Sequence, residues 1–332
     1  MNPRNQWRIA ICMIALFCII ISCNKDNNSS NTNQTTVQTQ ADDQTMVSNE
    51  SDIMASDINA ALSSSTSING MSANTIHSGI VGVNSVNETQ GVQGVNSSLI
   101  CDAVIVVDTT VNPRTVTITY NGTNCWGNRT RTGTVVISIA AGTHWMDQGA
   151  VVNIAVQSLT ITRVSDGKTI ILNGTRTMTN VSGGSMTQLA TLNSIIHTIS
   201  DSLTITFADN LVRTWQVSKQ RVFTYNNGIV MTTTGTHSDG VNTNVAEWGT
   251  NRFGTAFESL ITIPKVFRQD CNFRLVSGQN TILRSDSLNS VITFGLDATG
   301  HAAACPGSGN YYLEITWTFP NGKSTIPIIL PY

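Results

Sequence analysis

The chain has 332 residues, of which only 11% are charged, and a formal net charge of −2. So sparse and balanced a charge excludes the basic stripe that nucleic-acid binding requires. The length allows one large core or two smaller ones behind any targeting segment.

Met1-Asn-Pro-Arg-Asn-Gln-Trp-Arg8 carries two positive charges and no acid, and Ile9 to Ile21 is apolar throughout. That is the layout of an export signal. As a helix the run rises about 20 Å, short of the roughly 30 Å hydrocarbon core of a bilayer, so residues 1–22 read as a signal peptide that is removed. The end of the run, Ile20-Ile21-Ser22-Cys23, resembles a bacterial lipobox, in which a small residue precedes the cysteine that is acylated before cleavage. The resemblance implies that Cys23 opens the mature chain and carries fatty acyl chains such as palmitate. Each buried methylene contributes about 0.8 kcal/mol, so two or more chains would hold the protein on a membrane. Cys12 and Cys18 lie inside the apolar run and lack that setting; the alternative is an ordinary secretory signal with a chance cysteine at 23. Asn24-Lys25-Asp26 resembles the export tag of Bacteroidetes lipoproteins that reach the outer face of the outer membrane, although Asn27 stands where a second acid is common. It implies a lipid-anchored, outer-membrane protein displayed at the cell surface.

Residues 23–98 are expected to form the lipidated cysteine and a polar approach to the body. From Asn24 to Glu50 the chain is almost entirely Asn, Ser, Thr, Gln and Asp. It buries too little apolar surface to offset its ordering entropy, so a flexible, disordered tether is predicted. Ser51 to Leu62 has a partial apolar face in Ile53, Met54, Ile58, Ala61 and Leu62 and a capping Ser51 or Asp52, which predicts a short helix. Ser72 to Ser98 returns to Gly, Ser, Asn and Val and reads as an extended, poorly ordered segment.

A β-rich body is expected over 99–332. Val104 and Val106, then Val116, Ile118 and Tyr120, recur at period two, and Thr134 to Ile139 and Val151 to Ile161 are rich in β-branched residues. Further strands are predicted at Thr169 to Thr179, Ile195 to Phe207, Leu211 to Val217, Ile229 to Thr236, Phe253 to Ile263, Phe273 to Ser277, Val291 to Phe294, Tyr311 to Phe319 and Ser324 to Leu330. Ser165-Asp-Gly-Lys168, Asn226-Asn-Gly228 and Pro320-Asn-Gly-Lys323 separate pairs of such runs with residues that accept the positive φ of tight hairpins. The fold class is therefore all-β, mainly antiparallel and multi-stranded, sandwich-like or elongated.

The body holds Cys101, Cys125, Cys271 and Cys305, an even number in an exported chain, which suggests disulfides. Of three connectivities, Cys101 with Cys125 and Cys271 with Cys305 is favoured, because each pair brackets a similar pattern of strand, Gly-bearing turn and cysteine. No C-x-x-C or paired histidines accompany them, so no metal site is expected. The two patterns suggest a duplicated β-meander with lobes over 99–191 and 192–332, or hairpins alike through composition alone. The body, with its Cys…Tyr-Asn-Gly-x-x-Cys opening and the strand Gly-Thr-Arg-Thr-Met-Thr-Asn180, resembles a group of uncharacterised Bacteroidetes surface lipoproteins. That likeness brings no activity with it.

There is no H-E-x-x-H, G-x-S-x-G, Walker loop or dinucleotide fingerprint, so no catalytic residue and no cofactor is expected. Glu247 and Glu258, with Asp239 or Asp297, are the acids that a glycosidase would have to pair across a cleft. His144, His197, His237 and His301 are scattered and read as turn or strand-face residues. Trp126, Trp145, Trp215, Trp248 and Trp317 matter more, since an exposed indole stacks on the apolar face of a sugar while neighbouring amides bond its hydroxyls. Trp126 and Trp248, flanked by Gly and polar residues, are the candidate ligand contacts. Asp108-Thr-Thr110, Asp201-Ser-Leu203 and Asp286-Ser-Leu288 resemble an O-glycan acceptor pattern of exported Bacteroidetes proteins. The expected function is a non-enzymatic module, held on a membrane through Cys23, that binds a glycan or another envelope component; the alternatives are a structural or assembly protein of the envelope and a hydrolase with an unfamiliar acidic site.

Overall fold

The computed structural model describes residues 27–71, 93–95, 100–305, 309–325 and 327–332. The signal peptide, Cys23, its export tag and nearly all of the extended segment read over Ser72 to Ser98 lie outside the described residues. The chain divides into two compact units, Met1–Ser51 and Asp52–Tyr332.

Helix α1 spans Asn27–Ser63, and a single turn, α2, spans Thr66–Asn69. The short helix expected over Ser51 to Leu62 is therefore the last part of a longer one, and the polar stretch read as a tether is helical from Asn27 on. No Gly or Pro interrupts 27–63, so nothing in the backbone chemistry stops a helix once its C-terminal end is packed. From Asp52 to Leu62 only Ile53 and Ser56 are exposed. Gly70 takes φ +86 as the left-handed cap of α2, and an added Cβ there would sit 2.7 Å from the Cβ of His144.

The rest of the second unit is strand. In chain order these are β1 Gln93–Val95, β2 Ala103–Asp108, β3 Arg114–Thr123, β4 Arg129–Ile139, β5 Ala150–Arg163 and β6 Thr169–Asn180. They continue as β7 Ile195–Phe207, β8 Val212–Tyr225, β9 Ile229–Gly235, β10 Val245–Thr250 and β11 Ala256–Arg268. The last are β12 Arg274–Arg284, β13 Asn289–Leu296, β14 Tyr312–Thr318 and β15 Ile328–Pro331. All fifteen belong to one antiparallel sheet whose strand order follows the chain, except at one place. There β9 and β10 share a single position between β8 and β11: β9 pairs with Lys219 to Tyr225 and Lys265 to Arg268, and β10 with Thr214 to Val217 and Ala256 to Leu260. The lobes expected on either side of Thr191 are thus parts of one sheet, since β6 and β7 flank that point and pair without interruption from Ile170↔Phe207 to Asn180↔His197.

Burial alternates residue by residue. In β7 Ile195, His197, Ile199, Asp201, Leu203, Ile205 and Phe207 are all buried, while the residues between them are not. One face of the sheet therefore builds the core and the other meets water. The long strands bend at bulges. At the clearest, between β4 and β5, Gly133 has φ +119 and any Cβ would stand 2.5 Å from the Ser158 carbonyl, so only glycine fits. Cys101–Cys125 and Cys271–Cys305 are disulfide-bonded, with Cα separations of 5.1 and 5.2 Å, the pairing that the bracketed strand patterns favoured.

Candidate functional site

The inner face carries the charge. Away from their ends, the charged residues of β3 to β9 are Arg131, Arg176, Asp201, Arg213, Lys219 and Arg221, and every one is buried. Ionised side chains are rarely buried unless paired, and the pairs are explicit. Arg176 and Asp201, directly opposite on β6 and β7, form a bidentate fork with Nε–Oδ1 2.7 Å and Nη2–Oδ2 2.6 Å. Arg131 grips Asp102 in the same way, both contacts at 2.6 Å, and gives its third nitrogen to Asp57 of α1 at 2.6 Å. The Tyr120 hydroxyl donates to the same Asp57 oxygen at 2.9 Å, and the guanidinium lies 4.3 Å from the Tyr120 ring centroid.

Asp52, on the same helix, meets Arg221 at 2.7 Å and Lys219 at 3.4 Å, and Lys219 also reaches Glu247 of β10 at 2.7 Å. Burial opposes ionisation of Asp52, but the positive charges of Lys219, Arg221 and Lys265 outweigh it and hold the carboxyl well below the usual range. At Asp57 burial wins over Arg131 and the carboxyl is pushed up. On Lys219 burial works against the charge, yet Asp52 and Glu247 more than offset it. These groups join the helix to the sheet from within the core.

That placement separates the two glutamates. Glu247 is fully buried, beside Lys219 and the Trp215 indole N–H at 3.3 Å, whereas Glu258 of β11 lies opposite Trp248 and is partly exposed. Neighbouring residues on a strand point to opposite faces, so the carboxylates stand on two sides of the sheet and cannot flank one glycosidic bond. Asp297 closes its own turn, accepting from the Thr299 N–H at 2.8 Å and the Thr299 hydroxyl at 2.6 Å.

The aromatic residues divide as cleanly. Trp145, Trp215 and Trp317 fill the core, while Trp126 is 64% exposed and Trp248 is half-buried on the outer face. Trp126 sits in the β3–β4 turn beside Cys125, a turn held by the Asn124 side chain, which accepts from the Asn128 and Arg129 N–H groups at 3.1 and 3.2 Å. Trp248 stacks on His237, ring centroids 4.1 Å apart and planes 16° from parallel. Its rim is polar. Gln216 is its cross-strand neighbour, and the Asn242 amide donates to Glu258 at 2.9 Å and to Asp239 at 3.2 Å. Backbone N–H groups of Asn242 and Val241 hold the Asp239 carboxyl below the usual range, so Asp239 stands at this rim as an ionised acceptor. The structure does not bring Trp126 and Trp248 together, because β5 to β8 stand between β4 and β10 in the sheet.

His197 is buried against Trp145 and Phe223, ring centroids 5.0 and 5.1 Å away, and burial pushes its pKa down to about 3. His144 lies 3.7 Å from Asp147, and His301 is exposed in the Asp297 turn. Of the acceptor-like triplets, Thr109 and Ser287 lie in turns, whereas Ser202 lies inside β7 and accepts a hydrogen bond from Gln216 at 3.0 Å. Among the described residues one grouping has metal-ligand atoms close together, Asp270 with Cys271 and Cys305, and its sulfurs are already joined to each other. Among those residues, no helix is long and apolar enough to cross a membrane. Sequence reasoning missed the buried charge network entirely; its one sign was that Arg213, Lys219 and Arg221 share strand parity with Trp215, Val217 and Phe223. Comparison with protein families, curated proteins and solved structures gave no match to this chain.

Proposed function

We propose that this protein is an exported lipoprotein, anchored through Cys23, whose sheet binds a glycan or another component of the cell envelope without breaking bonds in it. The observation that carries this reading is the Trp248–His237 stack with Gln216, Asn242, Glu258 and Asp239 at its rim. A half-exposed indole offers the apolar face of a sugar ring a surface to bury against, while the rim supplies donors and acceptors for hydroxyls. The separation of Glu247 from Glu258 across the sheet supports binding over hydrolysis. The membrane address rests on the lipobox-like sequence alone.

Two measurements test the reading. Cys23→Ser is expected to abolish incorporation of labelled palmitate and release the protein from the envelope fraction; unchanged labelling would remove the anchor. Trp248→Ala is expected to weaken binding to glycans that retain the parent chain on an array by about tenfold or more, the scale of a buried aromatic contact. If no glycan retains the parent chain and no envelope component co-purifies with it, binding is excluded.

A further inference from the structure

The outer face of β3 to β9 reverses the usual distribution of charge. Between the strand ends not one outward side chain on these seven strands is ionised: β3 presents Thr115, Thr117, Thr119 and Asn121, and the next six strands present Thr, Ser, Asn and Gln with a few Val, Ile and Ala. Away from the strand ends their charged residues point inward. Soluble proteins ordinarily keep ionised groups outside, so a field this wide has been cleared of charge on the side where charge costs least. Strands lie about 4.8 Å apart and outward residues about 6.8 Å apart along each strand, so hydroxyls and amides form a regular two-dimensional array. The array is tied together laterally. Ser218 bonds Thr236 at 2.8 Å, Gln216 donates to Ser202 at 3.0 Å, and Thr214 meets Thr250 at 2.7 Å, two residues from Trp248. The field therefore runs without a break into the aromatic patch, and its first outward charge beyond that patch is Glu258.

We propose that this charge-free face is the binding surface of the module and that its ligand is an extended, uncharged polysaccharide laid across β5 to β8 with Trp248 gripping one sugar at the margin. Three features choose that occupant. Covering the face displaces water from hydroxyls and amides, which a polyol can bond in turn, and strips no ion of its solvent. A face that met lipid would carry an apolar band, and this one carries hydroxyls. The core of a protein–protein interface is enriched in aromatic residues, Met and Arg, none of which point outward between the strand ends here.

The inference rests on the glycan-binding reading of the module, and affinity electrophoresis of the full chain separates the two. Gels contain hydroxyethylcellulose, mannan or starch as neutral probes, or alginate as an anionic one. The parent chain should be retarded by at least one neutral polymer and equally so in 0.5 M salt, because there is no charge to screen. Asn153→Lys with Ser200→Lys, both exposed positions near the middle of the field, should weaken that retardation about tenfold. Thr175→Lys, one strand pair away, should do the same, and an unchanged thermal midpoint shows that the variants are folded. If Trp248→Ala abolishes retardation while the lysine variants keep it, the field is not the surface, although the glycan reading stands. No retardation of the parent chain by any polymer overturns both. Stronger retardation by alginate overturns the field proposal, and so does a parent dimer that the lysine variants split, since the face would then belong to a second copy.

Discussion

Asp201→Ala is expected to lower the unfolding free energy by about 3 to 5 kcal/mol, the largest loss we foresee for a single side chain of this sheet. Asp201 and Arg176 are both fully buried and joined by a fork of two charge-assisted bonds. Removing the carboxylate leaves the guanidinium without its fork in a site where water does not reach, and that cost exceeds the value of the pair itself. The double change Arg176→Leu with Asp201→Leu takes out both charges and keeps apolar volume on the core face. It should recover most of the loss, because an ion pair exchanged for packed hydrocarbon is often close to neutral. Urea unfolding followed by tryptophan fluorescence reads both effects. A loss below about 1 kcal/mol for Asp201→Ala would mean that the pair is hydrated, and the interior would then not be the dry charged layer inferred here.

Much of this architecture was legible in the sequence because it depends on local chemistry. The strand expected from Ile195 to Phe207 is β7, with both ends where the structure has them. The Asp-Gly and Asn-Gly turns lie between β5 and β6, β8 and β9, and β14 and β15. Of the two tryptophans flanked by Gly and polar residues, Trp126 is exposed and Trp248 is half-buried. What escaped the reading involves partners distant in the chain. The strand expected to end at Val217 runs on to Tyr225, and its charges Lys219 and Arg221 point inward to meet Asp52, more than 160 residues upstream. β10 was missed because it is short and begins with a register shift at Ala246, and its place is set by β8 and β11 on either side. The length of α1 was missed because 27–50 is poor in apolar residues and shows no sustained apolar face, so composition alone does not mark it as helix.

The buried His197, between helix and sheet, also makes stability depend on pH. His197 sits beside Trp145 and Phe223, with Asn59 of α1 at 3.5 Å, and burial lowers its pKa from 6.5 to about 3. The unfolded chain therefore takes up a proton that the folded one refuses. The contribution is complete above pH 6.5 and is lost as pH falls towards 3, at up to about 1.4 kcal/mol per pH unit. Asp52, held below the ordinary carboxylate value, adds its own loss below about pH 5, and Asp57, whose carboxyl is raised, works in the opposite sense as it takes up its proton early. Between pH 6.5 and pH 5, above the range in which carboxylates held low begin to protonate, the fall in stability belongs to His197, and Asp57 opposes it. His197→Phe replaces the imidazole with a ring that cannot titrate among aromatic neighbours, so the urea midpoint should become nearly flat across that interval while stability at pH 7 changes little. A variant that keeps the parent slope would show that the imidazole takes up its proton in the folded state, with water reaching it between the helix and the sheet.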